Sequence, residues 1–248
     1  MLENPRLRLG AAIWLLAMSG VVVLALTVLP QILAKSPRQV PAGVVLTASI
    51  VQSGVLLLLA VWVGVAMSRP LGLGAPAVEA ALSGSAVWRA LKRQLPPAAM
   101  VGLVVGGMLV CAERMAPAAL LAVGHAVEIP LAAKVLYGGV TEEVLLRWGM
   151  MTALIWLPWR FVQKKANRPG AACVIGAILV TAVLFGALHL PAAGAMGVKL
   201  TASVVTYIII GNSVPGVLFG FLYWRYGIEA AIIAHALGHV VSFVATAT

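Results

Sequence analysis

Apolar residues in this chain come in long runs, near 10–33, 42–67, 96–112, 117–157, 171–189, 198–225 and 228–247. Roughly twenty apolar residues of α-helix are needed to cross the hydrocarbon core of a bilayer. Inside lipid every backbone N–H and C=O must be satisfied within the protein, which leaves helices and closed barrels. A barrel strand would show short alternating segments, and these runs do not alternate. Composition agrees: 62% of the 248 residues are apolar and 10% charged, against about a quarter charged in a soluble domain. The expected fold is all-α, a polytopic transmembrane helical bundle of about seven to eight spans, in one integral membrane domain over 1–248. No repeat, low-complexity tail or long linker divides it.

The net charge of +10 sits in the short loops, as expected of a protein that orients itself against anionic lipid. That placement argues for a bilayer and against nucleic acid as the partner. With 117–157 counted as one crossing, the N-terminus lies inside. The cytoplasmic face then holds Arg6, Arg8, Arg69, Arg89, Lys92, Arg93, Arg160, Lys164, Lys165, Arg168 and Arg225. The outer face holds Lys35, Arg38, Arg114 and Lys199, with Lys134 and Arg147 within the membrane. The run 117–157 is about twice the length of one span, so a separate crossing at 117–133 is the alternative, giving eight. Residues 76–95 read as an interfacial helix ending at Pro96-Pro97. The run 10–33 reads as a retained first span, longer than a signal-peptide core. Cys111 and Cys173 read as small core side chains, unpaired. Gly102 with Gly106, and Gly216 with Gly220, have the spacing that lets helix backbones approach, and Pro215 is expected to kink its span.

The chain has seven acidic residues, and two of them stand side by side in Gly138-Gly139-Val140-Thr141-Glu142-Glu143-Val144-Leu145-Leu146-Arg147. An ionisable residue at membrane depth costs roughly 2.5–3.5 kcal/mol on insertion scales and marks a functional site by default. On a helix Glu143 and Arg147 share a face, while Glu142 points about 100° away. Glu143 and Arg147 are expected to pair, because an unpaired buried charge is costly. Glu142 is then left without a partner in its own helix, open to accept and return a proton. His189, four residues after Phe185 and before Pro191, sits at the end of its span. His235 and His239 share one face of the last span, where they can chelate a metal, donate to an oxyanion, or serve as a helix contact. His125, Glu128, Glu79 and Glu229 read as interfacial or loop residues.

Four motifs in order, Glu142-Glu143-x-x-x-Arg147, Phe185-x-x-x-His189, Gly216-x-x-x-Gly220-x6-Gly227 and His235-Ala-x-x-His239, resemble those of the CPBP intramembrane proteases. That family comprises the CAAX-processing endopeptidases and the Abi-type bacteriocin-processing proteins, and the resemblance covers about 138–243. It implies an endopeptidase acting on a membrane-associated peptide or protein, lipidated in the CAAX case. Glu142 would activate water with help from His189. His235 and His239 would stabilise the oxyanion, and Glu143, Arg147 and Phe185 would support the site.

The family pattern has Asn or Asp at the last position, whereas this chain has His239. The resemblance requires no cofactor, but imidazole is a good zinc ligand, and a zinc site would use His189, His235 and His239. A proton-coupled transporter and a catalytically silent membrane partner remain as other readings. The expected location is a bacterial or archaeal cell membrane. Seven spans put the site toward the outer face, opposite the basic 158–169 loop, whereas CAAX processing needs the cytosolic face, to which eight spans would return it.

Overall fold

The computed structural model describes residues 4–34, 41–124, 127–164 and 167–247, and these contain no strand. The helices are α1 (Pro5–Thr27), α2 (Leu29–Ala34), α3 (Ala42–Leu71), α4 (Pro76–Leu82), α5 (Val87–Arg114) and α6 (Ala118–Gly124). They are followed by α7 (Leu131–Ala133), α8 (Thr152–Phe161), α9 (Ala171–Ala195), α10 (Ala202–Tyr226) and α11 (Ile228–Thr246). Between α7 and α8 the chain stays helical but winds more widely, with i→i+5 backbone bonding over Lys134–Glu142 and Val144–Met151. The stretch 131–161 is thus one central helix.

Six segments are long and apolar enough to cross a membrane: Pro5–Ala34, Ala42–Leu71, Val87–Arg114, Ala171–Ala195, Ala202–Tyr226 and Ile228–Thr246. With the central helix they make the seven long segments expected when 117–157 crosses once. The described residues of 117–130 form one seven-residue helix, α6. Pro117 and Pro130 bracket it, and backbone carbonyls of both prolines accept from the helices that follow them. His125 lies outside the described residues, as do Lys35, Arg38 and Lys165.

Three boundaries differ from the sequence reading. The interfacial helix is only α4, because 87–95 form the first turns of α5, with Pro96 and Pro97 inside it. The carbonyls that these prolines leave without an i+4 donor belong to Lys92 and Arg93, both exposed, where water or headgroups can satisfy them. Likewise α9 does not stop at His189 but continues through Pro191 to Ala195. Glu229 is no loop residue: it lies in the first turn of α11, 8% exposed. Its Oε1 accepts from the backbone N–H of Ala77 (2.8 Å) and Val78 (2.9 Å), tying α4 to α11. Cys111 and Cys173 are both unpaired, as expected, but Cys111 is exposed rather than in the core.

The crossing helices turn large apolar side chains outward, Leu58, Trp62, Leu103 and Val183 among them, as lipid-facing helices do. Small residues hold the helices close inside. A Cβ on Gly102 would lie 2.9 Å from Leu237 on α11, and one on Gly216 3.2 Å from Ala182 on α9. The central helix is enclosed by α1, α3, α9 and α11, and Thr141 Oγ1 donates to Ala17 O at 2.6 Å to fix α1 against it.

Candidate active site

The site forms where the widely wound part of the central helix meets α9, α10 and α11. Such winding is rare and concentrates at functional sites. The glycines before the carboxylates permit it to press against α11. A Cβ on Gly139 would lie 3.0 Å from the Ala236 Cα. One on Gly138 would lie 2.8 Å from His239 Nε2 and 3.6 Å from His235 Nε2. Two imidazole nitrogens therefore converge on a position where the chain carries no side chain.

Glu143 and Arg147 pair as their spacing predicts, Nη1 to Oε1 at 3.0 Å, both fully buried. The same Oε1 lies 2.8 Å from His235 Nδ1. Arg147 Nη2 donates to Gly216 O at 3.0 Å. Its guanidinium carbon lies 4.8 Å from the Phe185 ring centre and 5.6 Å from that of Phe219. A buried charge pair is retained only when its geometry is good and its remaining donors are used. Here one carboxylate, one carbonyl and two aromatic faces surround the guanidinium, while Arg147 Nε and Glu143 Oε2 are buried without a hydrogen-bond partner among the described residues.

His235 is 5% exposed. Its ring stacks on Phe219 at 4.5 Å and on His239 at 4.9 Å. His189 is half-buried, edge-on to Phe185 at 4.8 Å, and its Nδ1 lies 2.7 Å from Phe185 O. A carbonyl only accepts, so His189 Nδ1 carries the hydrogen and Nε2 of the neutral ring offers a lone pair. The same reasoning puts a hydrogen on His235 Nδ1, facing the Glu143 carboxylate. His235 Nε2 can then donate only from a doubly protonated ring, whose charge Glu143 is placed to balance. His239 makes no hydrogen bond, and Glu142, half-buried, makes neither hydrogen bond nor ion pair, among the described residues.

The structure thus gathers Glu143, Arg147, Phe185, His235 and His239 into one contact network, with His189 joined to it through Phe185. Glu142 adjoins it with a free carboxylate. Two contributors were not legible. Phe219, which no motif singles out, stacks on His235 and faces Arg147. Gly216 reads from its spacing as a packing residue, and it also supplies the carbonyl that Arg147 needs. Among the described residues no group of three His, Cys, Asp or Glu side chains stands close enough to hold a metal ion.

Residues 125–241 match the model of the family described as Type II CAAX prenyl endopeptidase Rce1-like. The matched span takes in every side chain of the network just described. No curated protein and no solved structure matches the chain.

Proposed function

We propose, from the membership of residues 125–241 in the Rce1-like CAAX endopeptidase family, that this protein is an intramembrane endopeptidase. It would hydrolyse a peptide bond of a membrane-associated peptide or protein, as a multi-pass protein of a bacterial or archaeal cell membrane. The observation that carries the reading is the contrast between two adjacent carboxylates. Glu143 is fully buried and held by Arg147 and His235, while Glu142 is half-buried and makes no hydrogen bond or ion pair among the described residues.

In this reading Glu142 accepts a proton from a water molecule, and the His189 Nε2 lone pair accepts that water's other hydrogen. The water oxygen adds to the peptide carbonyl carbon. His235, its Nδ1 held by Glu143, and His239 donate to the resulting oxyanion, usually the largest single source of stabilisation in such reactions. Collapse of the intermediate breaks the C–N bond, and Glu142 returns its proton to the leaving amine. Arg147 holds Glu143, and Phe185 and Phe219 hold Arg147 and His235, so that none of these groups reorganises during the reaction. No step passes through a metal.

The test is to incubate purified wild-type and Glu142→Gln protein in detergent with a mixed peptide library, lipidated and unlipidated, and read cleavage by mass spectrometry. Wild type is expected to cleave, the variant is not, and a chelator is expected to change nothing. Absence of cleavage by well-folded wild type would reject the peptidase reading in favour of a silent membrane partner.

A further inference from the structure

The two faces of the bundle are identifiable from contacts between loops. On one, Ile228 N donates to Gly74 O at 3.1 Å, and a cavity of about 370 Å³ joins Gly72, Arg168 and Arg225. On the other, Gln31 Nε2 donates to Glu128 O at 2.8 Å, and Tyr207 Oη donates to Ala112 O at 2.6 Å. The basic side chains of the α3–α5, α8–α9 and α10–α11 connections and of the start of α1 all belong to the first face. Among the described residues the loops and helix ends of the second face carry only Arg114, Lys134 and Lys199. Short loops rich in Lys and Arg stay cytoplasmic, so the first face is the cytoplasmic one.

Burial changes sharply along the axis of the site. Toward the basic face it is sealed by Trp148, Met151, Thr152, Ile155 and Tyr223, all fully buried, with Thr152 Oγ1 and Tyr223 Oη 2.8 Å apart. Toward the other face the lining opens. His189, His239 and Lys134 are half-buried, and Phe243 is 40% exposed. Lys134 Nζ lies 5.8 Å from the Phe243 ring centre, and an ammonium at this depth calls for contact with water or headgroups. At 1.5 Å per residue His189 stands about 9 Å from the Ala195 end of α9 and about 27 Å from the Ala171 end.

We propose that the site opens on the membrane face opposite the basic loops, the non-cytoplasmic one, and takes peptide segments presented from that side rather than a prenylated tail in the cytosol. The orientation stands on charge placement and burial, and the substrate half rests on the endopeptidase reading above. Water reaches Glu142 from the outer face past Lys134, and the scissile segment approaches by the same mouth, between α9, α11 and the start of the central helix.

The experiment is labelling of the full chain in intact cells with a membrane-impermeant thiol reagent. Single cysteines are introduced into a Cys111→Ala, Cys173→Ala background at Lys164, Lys199 or Lys134. Lys199→Cys and Lys134→Cys are expected to react from outside, and Lys164→Cys only after permeabilisation. Reaction of Lys164→Cys from outside overturns the proposal, as does reaction of Lys134→Cys from the cytoplasmic side alone. A C-terminal alkaline phosphatase fusion to the otherwise native chain gives a second readout, since that enzyme is active only outside. Phosphatase activity supports the proposal, and its loss with a fluorescent cytoplasmic fusion overturns it. Neither readout needs peptide cleavage, so the orientation can fail while the peptidase reading stands, and the reverse.

Discussion

Glu143 Oε1 holds two partners, Arg147 Nη1 and His235 Nδ1, while its neighbour Glu142 holds none among the described residues. Removing Glu143 would strand a guanidinium that is fully buried. Breaking one side of a buried pair costs about 3–5 kcal/mol. Glu143→Ala is therefore expected to lower the thermal midpoint in detergent and the yield of folded protein, with activity lost alongside. The place of His239 is tested by its replacement with the residue usual in the family. Asn also offers N–H donors, so His239→Asn is expected to retain cleavage. A drop of about 10²–10³ in kcat, the cost of losing an oxyanion donor, would show that the imidazole itself is required. At this level the sequence was informative where contacts are local. The Glu143–Arg147 pair follows from four-residue spacing on a helix. The His235–Glu143 contact spans 92 residues, and no periodicity within either helix announces it.

Helices were legible as apolar runs, but their ends were not, because proline is a weaker stop in a membrane than in water. Pro96, Pro97 and Pro191 all lie inside helices. Pro117 and Pro130, by contrast, precede helix starts: their carbonyls accept from the first turns of α6 and of the central helix. The wide winding of 134–151 was equally hidden, since nothing in the pattern of apolar residues separates i→i+5 from i→i+4 bonding. Its dependence on glycine is testable. Gly139 faces the Ala236 backbone at 3.0–3.1 Å, which cannot give way, so Gly139→Ala should cost about 1–3 kcal/mol by overpacking, read as a lower thermal midpoint. Gly138 instead faces the free edge of His239, at 2.8 Å. Gly138→Ala should displace that ring and lower the rate of cleavage more than it lowers the midpoint. Equal loss of stability in both variants would argue against a site at Gly138.

Across the molecule, a charged helix is carried at the centre of a bundle whose outer surface is apolar. Lys134, Glu142, Glu143 and Arg147 are what make that helix unlike the six apolar segments, and they are why it is enclosed rather than turned to lipid. Enclosure also gives the two carboxylates their separate surroundings, one sealed among Arg147 and His235 and one half-buried without a hydrogen bond or ion pair among the described residues. Composition and run length gave the all-helical membrane class directly. The span count was not legible, because 117–157 has the length of two crossings and carries four charged side chains within 134–147. In the proposed mechanism the division of labour between neighbouring carboxylates is what makes the site catalytic. It is tested most directly by comparing Glu142→Gln and Glu143→Gln, identical changes one residue apart, for cleavage rate and thermal midpoint in the same detergent. Glu142→Gln is expected to lose about 10²–10⁴ in rate, the usual contribution of a general base, with the midpoint of wild type, whereas Glu143→Gln lowers the midpoint. Wild-type cleavage by Glu142→Gln, or a fall in its midpoint as large as that of Glu143→Gln, would contradict the assignment.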